Sequence, residues 1–159
     1  MTEIAPETQD PAGTAPRAVA SIFRGHTSLD ELNAMSVDTA MAPLGIVFTE
    51  IGCDYLRATM PVDARTRQPY GLLHGGASVL LAETLGSSAG NLCTPADRVC
   101  VGIEINANHL RGVRDGIVPG TARPLHVGGR TQVWEIRIED ARARVVCVSR
   151  LTLAVVPRP

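Results

Sequence analysis

Residues 68–87, QPYGLLHGGASVLLAETLGS, gather the groups best suited to chemistry in this chain. Gly75 and Gly76 open an apolar run expected to be helical from about Gly75 to Leu92, with Gly90 and Pro95 marking its end. Glycine in a helix costs about 1 kcal/mol relative to alanine, so two in succession need a reason. The first N–H groups of a helix lack intrahelical partners and sit at the positive end of its dipole, and residues without side chains leave those donors open. Such a donor suits an oxyanion hole, aimed at a carbonyl that gains charge during reaction. The same pair would also serve a tight loop-to-helix turn. Glu83, flanked by Leu80, Leu81, Ala82 and Leu85, is expected to be partly desolvated, a candidate nucleophile or general base. Its bland alternative is a rim position in water. Ser87, one turn later on the same face, could hold a water beside the carboxylate or simply bond a backbone carbonyl.

Gly75 and Glu83 are eight positions apart, about 12 Å along a helix axis. Reacting atoms must come within about 3–3.5 Å. If both act on one bond, Glu83 therefore comes from a second, antiparallel copy of the helix. A two-fold dimer with two composite sites follows from that geometry.

The elements that must hold these groups can be read around them. Residues 27–35, TSLDELNAM, suggest a short helix capped by Thr27 or Ser28 with Glu31 near its third position. Residues 43–62 suggest a strand, a turn near 52–54 and a second strand. After the central helix come four strand-like segments. VCVGIEINANHL is long and β-branched, and GIVPGTARPLHV carries proline and is expected to be bent or at an edge. TQVWEIRIED puts Trp134, Ile136 and Ile138 on one face and Glu135, Arg137 and Glu139 on the other. RVVCVSRLTLAVV, apolar in both registers, reads as a central strand, reached through a hairpin turn at EDARAR. The pattern is α+β, one antiparallel sheet burying a central helix whose Gly86, Ser87, Ser88, Ala89 and Gly90 permit close approach. Residues 1–22, rich in Pro, Thr and Ala, are expected to be a disordered tail, and 23–157 the single folded domain.

Composition excludes several functions. A net charge of −1 leaves no basic excess for nucleic acid or an anionic membrane. All fifteen basic residues are Arg, which removes Schiff-base, pyridoxal-phosphate and Walker A lysine chemistry. The four cysteines and four histidines are scattered, so no metal site is expected, and the thiols read as reduced in a cytoplasmic protein. No apolar stretch is long enough to span a membrane.

QPYGLLHGGASVLLAE resembles the hotdog-fold acyl-CoA thioesterases, in the aryl-CoA branch, and the likeness continues through VGIEINANHLR, RPLHVGGRTQVWEIRI and SRLTLAV, spanning about residues 29–156. Within that branch it is most similar to the members that act on 1,4-dihydroxy-2-naphthoyl-CoA in menaquinone biosynthesis. The resemblance implies a curved sheet wrapped on one helix, a dimer or dimer of dimers, and hydrolysis of an aromatic acyl-CoA without a cofactor, coenzyme A being part of the substrate. It implies that Glu83 attacks the thioester or activates water, that the Gly75 N–H and Gln68 side chain polarise the carbonyl, that His74 places the thioester, and that Ser87, often Thr in the family, orients water. For the coenzyme A arm it favours His109 and Arg111 with the loop His126, Gly128, Gly129 and Arg130, where a glycine turn flanked by His and Arg can meet phosphate. A plain β-turn is the alternative for that loop. Two other functions fit the fold: clearing misloaded aryl groups from a carrier protein, and a non-catalytic acyl-CoA-binding module.

Overall fold

The computed structural model describes residues 20–159, so most of the expected tail over 1–22 lies outside the described residues. At the end of that span Ile22 donates its N–H to the Cys53 carbonyl and packs, with Phe23, against the core. A short helix α1 (Leu29–Ala34) starts at Ser28, whose hydroxyl accepts the Glu31 N–H while Glu31 accepts the Ser28 N–H. This reciprocal cap is the one expected there. The strand expected to begin at residue 43 starts later. Met41–Leu44 form a helical turn, α2, closed by Gly45 in the left-handed region at φ +66°, and strand β1 runs Val47–Ile51. Strand β2 (Leu56–Pro61) pairs with it across the 52–55 turn.

The long helix α3 (Gly75–Leu92) is followed by strands β3 (Arg98–His109), β4 (Ile117–Val127), β5 (Thr131–Glu139) and β6 (Val145–Pro157). All six strands form one antiparallel sheet in the order β1-β2-β4-β5-β6-β3, with β1 and β3 at its edges. Strand β4 is therefore interior, and of the two expectations for it, bent holds and edge does not. Its prolines sit where the ladder is broken or one-sided: Pro119 lies beyond the pairing with β5, which begins at Gly120, and the register slips between Pro124 and His126.

One face of the sheet holds the core. Leu81, Ala82, Leu85 and Ala89 of α3 are fully buried against Trp134, Ile136, Ile138, Leu151 and Leu153. The small residues allow this contact as expected: a Cβ on Gly86 would stand 2.6 Å from Leu151 Cδ2, and one on Gly90 only 2.4 Å from Leu153 Cδ1. Gly120 of β4 makes the matching notch for Leu85. A buried polar chain fixes the far end of the helix. Trp134 Nε1 donates to Gln132 Oε1 (3.0 Å), Gln132 Nε2 to Thr94 Oγ1 (3.1 Å), and Thr94 Oγ1 to the Gly90 carbonyl (2.8 Å). Arg24 closes the same end, its N–H and Nε reaching the Leu92 and Cys93 carbonyls at 2.7 and 2.9 Å, a cation on the negative pole of the dipole. In strand β6 the face toward the helix is buried from Cys147 to Val155, and on the other face Val146 is buried as well while Arg150 is exposed.

Candidate active site

The loop before α3 is built to present Gln68. The buried Thr66 anchors it, its hydroxyl donating to the Pro61 carbonyl at 2.7 Å and its own carbonyl accepting the His74 N–H at 2.8 Å. Gly71, at φ +74°, closes a turn onto the Gln68 carbonyl, and the Gln68 N–H donates to Leu72. Pro69 sets the first bend. The Gln68 Oε1 accepts the Tyr70 N–H, which commits the oxygen to the loop and leaves the amide NH2 as the group available for a ligand.

At the helix start the two glycines separate in role. His74 is the N-cap, its Nδ1 accepting the Gly76 N–H at 2.8 Å. Gly75 N–H has no partner among the described residues. One donor is thus open where two were expected, and the ring of His74 is engaged in making it so. A cleft of about 340 Å³ lies before this donor, lined by Gln68, Leu72, Gly75, Ser78, His109 and Arg111 among others. His109 ends strand β3 against the glycine: a Cβ on Gly75 would stand 2.8 Å from His109 Nε2.

Glu83 and Ser87 are on the same helix outside this cleft. The expected desolvation of Glu83 does not hold in the single protomer, where the residue is exposed. Leu81, Ala82 and Leu85 point into the sheet, so the apolar neighbours in sequence lie on the opposite side of the helix from the carboxylate. Glu83 instead lies over the edge strand, its Oε1 2.9 Å from where a Cβ on Gly102 would be. Gly102, which sequence reasoning missed, is what clears room for it; a glycine inside a β-branched strand was the available signal. The other candidates divide as well. Gly128 and Gly129 line a different cleft, with Arg24, Cys93, Thr94 and Arg98 at the C-terminal end of α3. His126 and Arg130 flank that turn and are exposed. The turn itself is closed by Gly128 N–H on the Thr131 carbonyl at 3.1 Å, the hairpin geometry of its bland alternative. One protomer therefore brings together Gln68, Gly75, His109 and Arg111 and leaves Glu83, Ser87 and the 126–130 loop elsewhere.

Residues 70–147 match the thioesterase superfamily. The chain is 54% identical over 134 residues to the 1,4-dihydroxy-2-naphthoyl-CoA hydrolase of Escherichia coli strain K12, covering 84% of this chain and 98% of that protein. The chain belongs to the thioesterase superfamily. It is also 54% identical to the proofreading thioesterase EntH of Cronobacter sakazakii, over 84% of this chain and 98% of that one. A thioesterase of Haemophilus influenzae superposes with a TM-score of 0.84 at 48% identity, covering 86% of this chain and 95% of the other. A mutant thioesterase of Pseudomonas aeruginosa does so with a TM-score of 0.85 at 49% identity, covering 87% and 100%. The sheet curled around α3 is the hotdog fold of these thioesterases, and the chain is a thioester hydrolase.

Among the described residues no cluster of three or more His, Cys, Asp or Glu could hold a metal ion, and no helix is long and apolar enough to cross a membrane. Burial pushes the Cys93 thiol up to about 11, which keeps it protonated and a poor nucleophile near neutrality.

Proposed function

We propose that this chain hydrolyses an aromatic acyl-CoA to the free acid and coenzyme A, with 1,4-dihydroxy-2-naphthoyl-CoA as its substrate and menaquinone biosynthesis, in the cytoplasm, as its setting. The observation that carries the reading is the unpartnered Gly75 N–H facing a cleft shared with the Gln68 amide. Two donors lining one cleft suit a thioester oxygen that becomes an oxyanion. The high identity to the Escherichia coli hydrolase supports the acyl group.

Glu83 supplies the attack. In this reading it acts on the cleft of a second copy, because eight helical residues separate it from Gly75 and the cleft of its own chain does not include it. The open edge of β3, over which Glu83 lies, is where a two-fold partner would join, setting two α3 helices antiparallel. That arrangement also carries the second copy's 126–130 loop, at the C-terminal end of its helix, toward the cleft holding Arg111, where together they would meet the coenzyme A phosphates. Ser87 then sits one turn from Glu83 to hold water. A dimer is the smallest unit with complete sites, and two dimers stack into the tetramer.

The similarity to EntH favours a second reading, removal of aryl groups from a carrier protein. Steady-state thiol release from 1,4-dihydroxy-2-naphthoyl-CoA or its 1-hydroxy analogue, benzoyl-CoA, 4-hydroxybenzoyl-CoA, a medium-chain acyl-CoA and an aryl carrier protein separates the two. A preference of tenfold or more for the naphthoyl-CoA, about 1.4 kcal/mol in transition-state binding, is the expected result. Faster release from the carrier protein would replace it with the proofreading role.

A further inference from the structure

We propose that His109 is a catalytic residue of this site, the donor that protonates the departing thiolate, and not a ligand for the substrate's phosphates. The proposal rests on the thioester hydrolysis above and assigns one more group to it.

Strand β3 delivers the His109 ring directly onto the first residue of α3. Three ring atoms, Nε2, Cε1 and Cδ2, would lie 2.8, 3.2 and 3.3 Å from a Cβ at Gly75, so the Nε2 end of the imidazole is the part that meets the glycine. Only glycine leaves room for it. The ring is exposed, and it makes no hydrogen bond to another described residue. Its partner is therefore free to be a ligand.

The cleft holding His109, Gln68 and Gly75 has a volume of about 340 Å³, which sits at the small end of ligand pockets, roughly 300–1,000 Å³. A cleft this small takes the reacting end of an acyl-CoA at Gln68, Gly75 and His109, and the nucleotide, which the whole pantetheine arm separates from the sulfur, would lie at its mouth on the Arg111 side. A carbonyl oxygen held on the Gly75 N–H puts the sulfur, bonded to the same carbon, beside the glycine and within the neighbourhood of Nε2. When the tetrahedral adduct collapses, the C–S bond breaks and its electron pair passes to sulfur. The protonated ring gives its Nε2 proton to that sulfur, releasing the free thiol, and the neutral ring takes up a proton released by the water that becomes part of the carboxylate product. Imidazole can hold and release a proton near neutral pH. The guanidinium of Arg111, two residues on, cannot give up its proton but is suited to phosphate.

The test compares wild type, His109→Gln and Arg111→Gln on three thioesters of one aryl acid: coenzyme A, N-acetylcysteamine, which lacks the nucleotide but has a similarly basic thiol, and 4-nitrothiophenol, whose acidic thiol leaves without a proton. For His109→Gln the expected result is a fall in kcat of about 100-fold, within the usual range for a general acid, on both the coenzyme A and N-acetylcysteamine esters, shrinking to a few-fold on the nitrothiophenyl ester. Arg111→Gln should raise KM for the coenzyme A ester alone. A His109→Gln loss confined to the coenzyme A ester and expressed in KM makes His109 a phosphate ligand and overturns the proposal. Equal losses on all three esters make it a packing or oxyanion residue, and no loss removes it from the reaction; either overturns the proposal while leaving the hydrolysis standing. A wild-type enzyme inactive on all three overturns the hydrolysis as well.

Discussion

Glu83 is the residue on which the proposed chemistry turns, and its exposure in the protomer makes the expected effect clean. Glu83→Gln removes the nucleophile or base while keeping shape and hydrogen-bonding capacity, so turnover should fall by about 10³-fold or more, in the range seen when an acting group is lost. Thermal unfolding should be nearly unchanged, because Gln keeps the shape of the side chain and Glu83 has no ion-pair partner among the described residues. Near-normal turnover in this variant would remove Glu83 from the mechanism. Single turnover in isotopically labelled water then chooses between its two routes, since label enters the Glu83 carboxylate only through a mixed anhydride. The residue types and spacing of this site were legible in the sequence, including the open glycine donor. The resemblance named the Gly75 N–H; the closing of the Gly76 N–H was not legible, because that depends on the direction of the His74 ring.

At the scale of elements, the helix is seated by absence of side chains. Gly90→Val should destabilise the fold by about 1–3 kcal/mol, the usual cost of overpacking, since the new Cβ meets the fully buried Leu153 at 2.4 Å. Denaturant unfolding measures it. The β5–β6 turn gives a pH effect. Asp140 accepts the Arg142 and Arg144 N–H groups and the Arg144 guanidinium, led by the last of these, which lower its pKa from 3.8 to about 2. A carboxylate lowered on folding stabilises fully above its unfolded pKa, and that contribution disappears as pH falls from about 4 through 2. Asp140→Asn should therefore lower Tm at pH 7 and lose most of its difference from wild type by pH 2, as melting curves at the two pH values would record. The helix boundaries and the four later strands were readable from periodicity and punctuation. The turn at Met41–Leu44 was not, because four residues are too few for a helical period and Pro43 can begin an extended segment as well as sit in a helical turn. The interior place of β4 was hidden for a related reason: proline argues for an edge until the register slip that accommodates it is seen.

The whole molecule tests whether the site is shared. If Gln68 comes from one copy and Glu83 from the other, Gln68→Ala and Glu83→Gln proteins, each inactive alone, should complement when co-refolded. Each mixed dimer holds one doubly altered and one intact site, so random mixing restores about one quarter of wild-type activity. A mixture no more active than its parts would place both residues in one chain. This was the point sequence reached by geometry alone, from the spacing of Gly75 and Glu83, whereas the split of the coenzyme A candidates between opposite ends of α3 needed the fold.

The open border of β3 has a consequence for how the protein fails. Twelve residues of strand lie along it with one side unpaired, Ile103 is 62% exposed and Val101 43%, and the chain has no lysine with which such borders are often guarded. A separated protomer would carry a template for strand addition by any neighbour. For the proposed dimer, loss of activity on dilution or mild heating would therefore proceed by capture into aggregates before the core melts, and the shelf life of the enzyme would be set by how long two copies stay together, not by the stability of either one.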